Sequence, residues 1–409
     1  MTSAPTRPLW RGRTLALLGI ALFAFSLRSA VASLSPVLDH IQDDFDVPAA
    51  IVGAIGTAPP VCFALFGLLT PRLVRRLGLE RLTVVALVVV SAGLIARGLS
   101  TDAVMLAVST AVIFAGVGVG NVLLPPLVKK YFPDRIGLVT TLYSMTMAFS
   151  TFLPPLFAVP VADAVDWRAS LSMWAIFSVL AILPWAALLI RERGGDAVVV
   201  EEANAQLFGR LWRLPLAWAI TVTFLVSSAV AYTSFAWLPP LLIDTAGVAP
   251  AEAGALLSLF AFMGLPASLT VPALASRRRA LPVLFAIAVV AGLVSIGGLL
   301  WAPTAAPALW VVLLGITPLY FPLALALIGL RARTHETAVA LSGFVQSIGY
   351  AIVAALPFGV GVVHDLTGAW TIPLVALAVF IVASIPAGVR LAKPGTVEDE
   401  WEQRNARPW

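Results

Sequence analysis

The chain has 409 residues, of which 60% are hydrophobic and only 11% charged, and its mean hydropathy is +0.97. Soluble domains do not have this usage, so the chain reads as a membrane protein with the lipid bilayer as its principal partner. Its net charge of +5 sits in short loop clusters, which argues against nucleic acid as a partner, and its one cysteine, Cys62, excludes an internal disulfide and any cysteine-based metal cluster.

Lipid offers the backbone no hydrogen-bond partner, so uncharged runs of about 18 residues or more predict spanning helices. Twelve are expected, near 14–38, 48–71, 82–100, 104–128, 136–162, 168–190, 214–242, 251–275, 281–300, 306–330, 338–362 and 371–390. The ninth and tenth share one uncharged run, divided at "WAPTAAP" (301–307), and Arg97 leaves the third with a short apolar core. The first run is long and followed by acid rather than a small-residue cleavage site, so it is expected to be a span and not a cleaved signal.

Loop charge sets orientation, because Lys and Arg are retained on the cytoplasmic side. With the N-terminus inside, every basic residue except Arg28, Arg97 and Arg168 falls at a terminus or in a cytoplasmic loop. The opposite loops are acidic, with Asp39, Asp43, Asp44 and Asp46 after the first span, then Asp102, Asp163, Asp166, Asp244, Glu252 and Asp365. A multi-pass protein of the cytoplasmic membrane with both termini cytoplasmic is the expectation.

The polar stretch 191–213 divides the spans six and six, giving an N-terminal bundle (1–190), a linker (191–213), a C-terminal bundle (214–391) and a tail (392–409). The halves match at an offset of about 202 residues: Pro48 with Pro250, Arg75-Arg76 with Arg277-Arg278, Lys129 with Arg331, Pro155 with Pro357 and Asp163 with Asp365. Trp167 and Trp370 match with one residue more. So many shared breakers and charges point to duplication. Repeated bundles place a pathway where they meet, near the bilayer midplane.

The organisation, with "GLLTPRLVRRLG" (67–78) between the second and third spans, resembles the major facilitator superfamily. That loop is similar to its G-x-x-x-D-R-x-G-R-R signature, although Pro71 stands for the acid and Val74 for the glycine. "SLRSAVASLSPVL" (26–38), "GVGVGNVLLPPLVKKYFP" (116–133), "GLVTTLYSMTMA" (137–148) and "LSGFVQSIGYAIVAALPFGVGVVHDLTGAW" (341–370) together resemble the CynX/NimT-type permeases, which carry cyanate and 2-nitroimidazole. The resemblance implies an all-α membrane protein of twelve helices in two pseudo-symmetric six-helix bundles, not an enzyme, that moves a small-molecule substrate without a cofactor and functions as a monomer.

Several residues are candidates for contact with that substrate. A charge at the centre of a span costs about 2.5–3.5 kcal/mol to insert, and such residues face a bundle interior or an aqueous cavity. Arg28 sits deep in the first span with no acid at similar depth in any span. It reads as a fixed cation whose planar fork of donors holds an anionic or oxygen-rich solute, and the alternative is an Arg bonded to carbonyls at a helix break before Pro36. Asn121, Tyr143, and Gln346 with Tyr350 one turn apart on the eleventh span, are further polar candidates. Tyr232, Trp237 and Tyr320 are candidate aromatic walls. "GVGVGN" lies inside a span with no preceding strand, so its glycines read as allowing close helix approach rather than as a nucleotide loop. His40, His335 and His364 sit at helix ends and read as solvated or capping groups. Arg72, Arg75, Arg76, Arg277 and Arg278 serve orientation or latch a gate. The alternative reading of the whole chain is a proton-coupled exporter of a neutral or cationic drug-like compound, which would call for an acidic cavity instead.

Overall fold

A computed structural model describes residues 13–191, 205–277, 279–406 and 409. Arg278 and most of the 191–213 linker lie outside the described residues, as does the side chain of His335. Among the described residues eleven helices are long and apolar enough to cross a membrane, and a shorter apolar helix, Thr14–Ser26, precedes them. In chain order the eleven, spans 2 to 12, are Ala49–Gly67, Leu79–Gly98, Ala103–Tyr131, Leu138–Ala164, Trp167–Ile190, Pro215–Ala246, Pro250–Ala275, Ala280–Trp301, Pro307–Leu330, Thr337–Thr367 and Thr371–Ala392. Span 1 is the exception. Its 13 helical residues rise only about 20 Å against a hydrocarbon core of about 30 Å.

Local chemistry sets several of the ends. The Asp102 side chain accepts from the Met105 N–H at 2.8 Å to start span 4, and Thr334 does the same for the Thr337 N–H at 3.1 Å. Gly247 and Gly368, both at positive φ, close spans 7 and 11.

The chain forms two compact units, one of Met1–Ile51 with Val61–Val200, the other of Val52–Pro60 with Glu201–Trp409. In the first, span 3 lies along spans 4 and 6, and span 1 lies on spans 5 and 6. Trp185 of span 6 is completely buried there, its indole packed on Gly19 of span 1. In the second, span 7 runs against spans 10, 11 and 12, with span 9 on 10 and 12.

Each unit closes one end with the same device. In the first, Trp167 donates its indole N–H to Asp44 at 2.9 Å, and in the second Trp370 donates to Asp244 at 3.0 Å. The matched tryptophans of the two halves therefore do the same work in each.

The last residues do not hang free. Val397–Asn405 is a helix opened by a capping box between Thr396 and Asp399. It is held to the second unit by Glu400, which accepts from the Leu216 N–H at 2.8 Å and from Arg390 at 2.8 Å, and by Arg333, which binds Asp399 and Glu402. Arg333 and the Thr396 N–H lower the Asp399 carboxyl to a pKa of about 2.

Candidate functional site

The expected continuous first helix is interrupted. Residues 27–34 are turns and bends between Thr14–Ser26 and a short 3-10 turn, Ser35–Val37, which leads into Leu38–Gln42. The reason is in "SLRSAVASLSP". Ser26, Ser29, Ser33 and Ser35 offer the backbone competing hydrogen bonds, Pro36 has no N–H to give, and its ring disfavours helical geometry in the residue before it. Irregular backbone inside a membrane protein persists only where its polar groups find partners. Here Ser150 of span 5 donates to the Phe25 carbonyl, and Arg97 of span 3 donates to the Ala30 carbonyl at 3.1 Å and to Ser33 Oγ at 2.9 Å.

Arg28 lies in this interruption and is half-buried, while Leu27 and Ser29 beside it are wholly buried. Among the described residues its guanidinium has no hydrogen bond and no acidic partner; it lies over the Phe63 ring at 5.7 Å from the centroid. The carbonyl-capping role expected as the alternative for Arg28 belongs instead to Arg97. Nothing in the composition of span 3 pointed to this, since Arg97 near a helix end reads as an interfacial residue; it is 0% exposed.

The glycines of span 4 bring three helices to the same neighbourhood. A Cβ on Gly116 would meet the Ala86 carbonyl of span 3 at 2.9 Å, one on Gly118 the Cys62 carbonyl of span 2 at 2.7 Å, and one on Gly120 the Leu27 side chain of span 1 at 2.5 Å. Gly120 packs against Leu27, the residue before Arg28, and is itself the residue before Asn121. Asn121 is half-buried, and its amide has no hydrogen bond among the described residues. Tyr143, on span 5, is half-buried as well.

In the second unit, Tyr232 of span 7 and Tyr350 of span 11 meet edge to face with centroids 6.2 Å apart, and Phe224 completes the group at 5.0 Å from Tyr350. Gln346, one turn before Tyr350, donates to Ser342 Oγ at 2.8 Å. The other two candidate aromatic walls are engaged with the protein itself. Trp237 is 3% exposed, donates its indole N–H to the Pro357 carbonyl at 2.9 Å and packs on Trp370. Tyr320 is 0% exposed, and its hydroxyl is spent on Ser384 Oγ at 3.0 Å and the Phe285 carbonyl at 3.3 Å. Both tie helices together because a buried indole N–H or phenol must find an acceptor, and the nearest acceptors belong to neighbouring spans.

Arg72, Arg75, Arg76 and Arg277 are exposed. Span ends in the first unit are tied by Arg13 with Asp134 and by Lys130 with Glu80 at 2.6 Å, an acid that also accepts from Tyr131 at 3.1 Å. His40 pairs with Asp163 at 2.8 Å, and His364 lies 3.8 Å from Asp244, so the histidines of described side chain lie against acids at span ends. Among the described residues no group of three His, Cys, Asp or Glu side chains could hold a metal ion.

A model of the Major Facilitator Superfamily matches residues 17–354. The 2-nitroimidazole transporter of Escherichia coli is 33% identical over 90% of this chain and 93% of its own, and an uncharacterised transporter, YycB, of Bacillus subtilis is 31% identical over 95% and 96%. The cyanate transport protein CynX of Escherichia coli is 25% identical over 86% and 90%. The fold is that of the crystal structure of the nucleoside transporter NupG, which matches 92% of this chain and 100% of its own with a TM-score of 0.74 at 12% identity. A multi-pass helical protein with an interrupted first span and an arginine in the interruption, matched in this way along nearly its whole length, belongs to the Major Facilitator Superfamily, among the permeases similar to the 2-nitroimidazole and cyanate transporters.

Proposed function

We propose that this transporter moves a small anionic or polar planar solute by alternating access, with Arg28 as its electrostatic anchor. One observation carries the reading: a half-buried guanidinium, held in unwound backbone of span 1, has no acid and no hydrogen bond among the described residues. A charge kept from water at that cost is stabilised when a ligand neutralises it. Broken helices are where transporters of this architecture bind cargo. The Phe63 ring beneath the guanidinium favours a flat ligand stacked in the same plane, and Arg supplies a donor fork that fits carboxylate-like or nitro oxygens. Cyanate, a small linear anion, and 2-nitroimidazole, a small planar ring with nitro oxygens, are named for two relatives and are the first to test.

Asn121 on span 4 and Tyr143 on span 5, with Tyr232, Gln346 and Tyr350 of the second unit, are proposed as further contacts. Arg72, Arg75, Arg76 and Arg277 act at the gate, both termini face the cytoplasm, and the monomer is the working unit. Uptake of radiolabelled cyanate and 2-nitroimidazole into proteoliposomes tests the reading. Saturable uptake of either that is lost in Arg28→Ala supports it. Uptake confined to cationic solutes, or unchanged in Arg28→Ala, overturns it.

A further inference from the structure

Arg97 is the most deeply buried cation among the described residues, at 0% exposure. It has no salt bridge there, and its Nε finds no acceptor. Membrane helices rarely keep such a residue without a purpose, since the buried charge and the orphaned donor both work against folding. Its two bonds share a feature. The Ala30 carbonyl and Ser33 Oγ lie three residues apart inside the unwound stretch 27–34, just after Arg28, and both are more than 60 residues distant in sequence from Arg97. One planar fork thus spans the break and fixes the spacing between two of its residues, while Ser150 fixes the Phe25 carbonyl on the other side of Arg28. Arg28 itself contributes only backbone bonds to the break, through its N–H to Phe25 at 3.3 Å and its carbonyl to Val31 at 3.1 Å.

We infer that Arg97 is a positioning residue: its guanidinium braces the broken segment of span 1 from span 3 and so sets the direction in which position 28 is presented. This rests on the proposed anchor role only for its consequence in transport, since the brace itself concerns the geometry of the break. Lysine cannot reproduce it, because an ammonium offers a point charge where the two acceptors need a rigid fork. A neutral glutamine is shorter and donates from a single nitrogen, where the two bonds leave the separate Nη1 and Nη2 of the guanidinium.

The experiment reads the presentation of position 28 directly. In a background with Cys62→Ser, Arg28→Cys is labelled with a water-soluble methanethiosulfonate in detergent-purified full-length protein, with Arg97 intact or as Arg97→Gln, Arg97→Lys or Arg97→Met. The expected result is a change in labelling rate of about tenfold or more in Arg97→Met and Arg97→Gln, with Arg97→Lys no closer to wild type than about threefold. Separately, with Arg28 present, Arg97→Gln is expected to raise KM for whichever of cyanate or 2-nitroimidazole is carried while leaving the maximal rate within about twofold. If Arg97→Met does not purify as a monodisperse species, Ser33→Ala removes one of the two acceptors and is expected to shift labelling by about threefold. Labelling unchanged in Arg97→Gln and in Ser33→Ala overturns the inference. Changed labelling together with full transport in Arg28→Ala leaves the brace standing and removes only the anchor.

Discussion

Arginine 28 and arginine 97 carry the same group into the same eight-residue break and use it in opposite ways. Arg97 spends its donors on protein acceptors; Arg28 keeps all of its side-chain donors unspent among the described residues. The difference predicts different outcomes for equivalent substitutions. A hydrogen bond to a charged group contributes about 1.5–3 kcal/mol, so Arg28→Ala should lower transport efficiency by roughly 10- to 150-fold per bond lost, without lowering the yield of monodisperse protein. Arg28→Lys should recover little of this, for it keeps the charge and loses the fork. Asn121→Ala, which removes a neutral partner worth about 0.5–1.5 kcal/mol, should cost only about 2- to 12-fold. Parallel uptake assays and size-exclusion profiles check all three, and an Arg28→Ala protein that transports normally would refute the ranking.

Span 4 shows at the level of an element what a glycine pattern can and cannot reveal. That "GVGVGN" permits close helix approach was legible from sequence, because small residues inside a span have few other uses. Which helices approach was not legible, since that depends on rotation about the axis; Gly116, Gly118 and Gly120 face spans 3, 2 and 1 in turn. Their substitutions should therefore differ. Alanine at 118 would press on the backbone carbonyl of Cys62 at 2.7 Å, which cannot move without shifting span 2, whereas alanine at 120 would press only on side chains, the end of Leu27 at 2.5 Å and the ring edge of Phe23 at 2.9 Å, which can shift without moving a backbone. Overpacking costs about 1–3 kcal/mol, and Gly118→Ala should sit at the upper end and Gly120→Ala at the lower. Thermal unfolding of the purified variants orders them, and a lower Tm for Gly120→Ala than for Gly118→Ala would contradict the geometry. Span 1 was misread for a related reason. Its apolar length suggested one span, but length reports only solvent, while the four serines and Pro36 report the local backbone, and the partners that make the break tolerable, Arg97 and Ser150, sit in distant spans. The hydrogen bonds of Trp237 and Tyr320 were not legible for the same reason, since their acceptors, Pro357 and Ser384, lie 120 and 64 residues away.

At the scale of the whole molecule, the placement of acids decides how transport responds to pH. Among the described residues, the Asp and Glu fall in loops, the tail or the terminal turns of helices. A proton-coupled carrier needs a group within its spans that gains and loses a proton during the cycle, and the arginines of span 1 and span 3 do not serve, because a guanidinium stays protonated. The acids with lowered pKa are structural. The indole N–H of Trp167 and the guanidinium of Arg168 hold Asp44 below its ordinary value, and Arg333 holds Asp399 at about 2. For a depressed carboxyl the stabilisation is complete above the unfolded value of 3.8 and is lost only as pH falls from there through the folded value. Both contacts are therefore intact from pH 8 to pH 5, and neither produces a pH response in that window. Initial uptake into proteoliposomes should accordingly agree within about twofold with and without an imposed pH gradient, for a solute whose own charge does not change across it. Accumulation against a concentration gradient driven by pH alone would require a titrating group in the pathway, which would favour the proton-coupled alternative and place that group among the histidines or acids at the span ends.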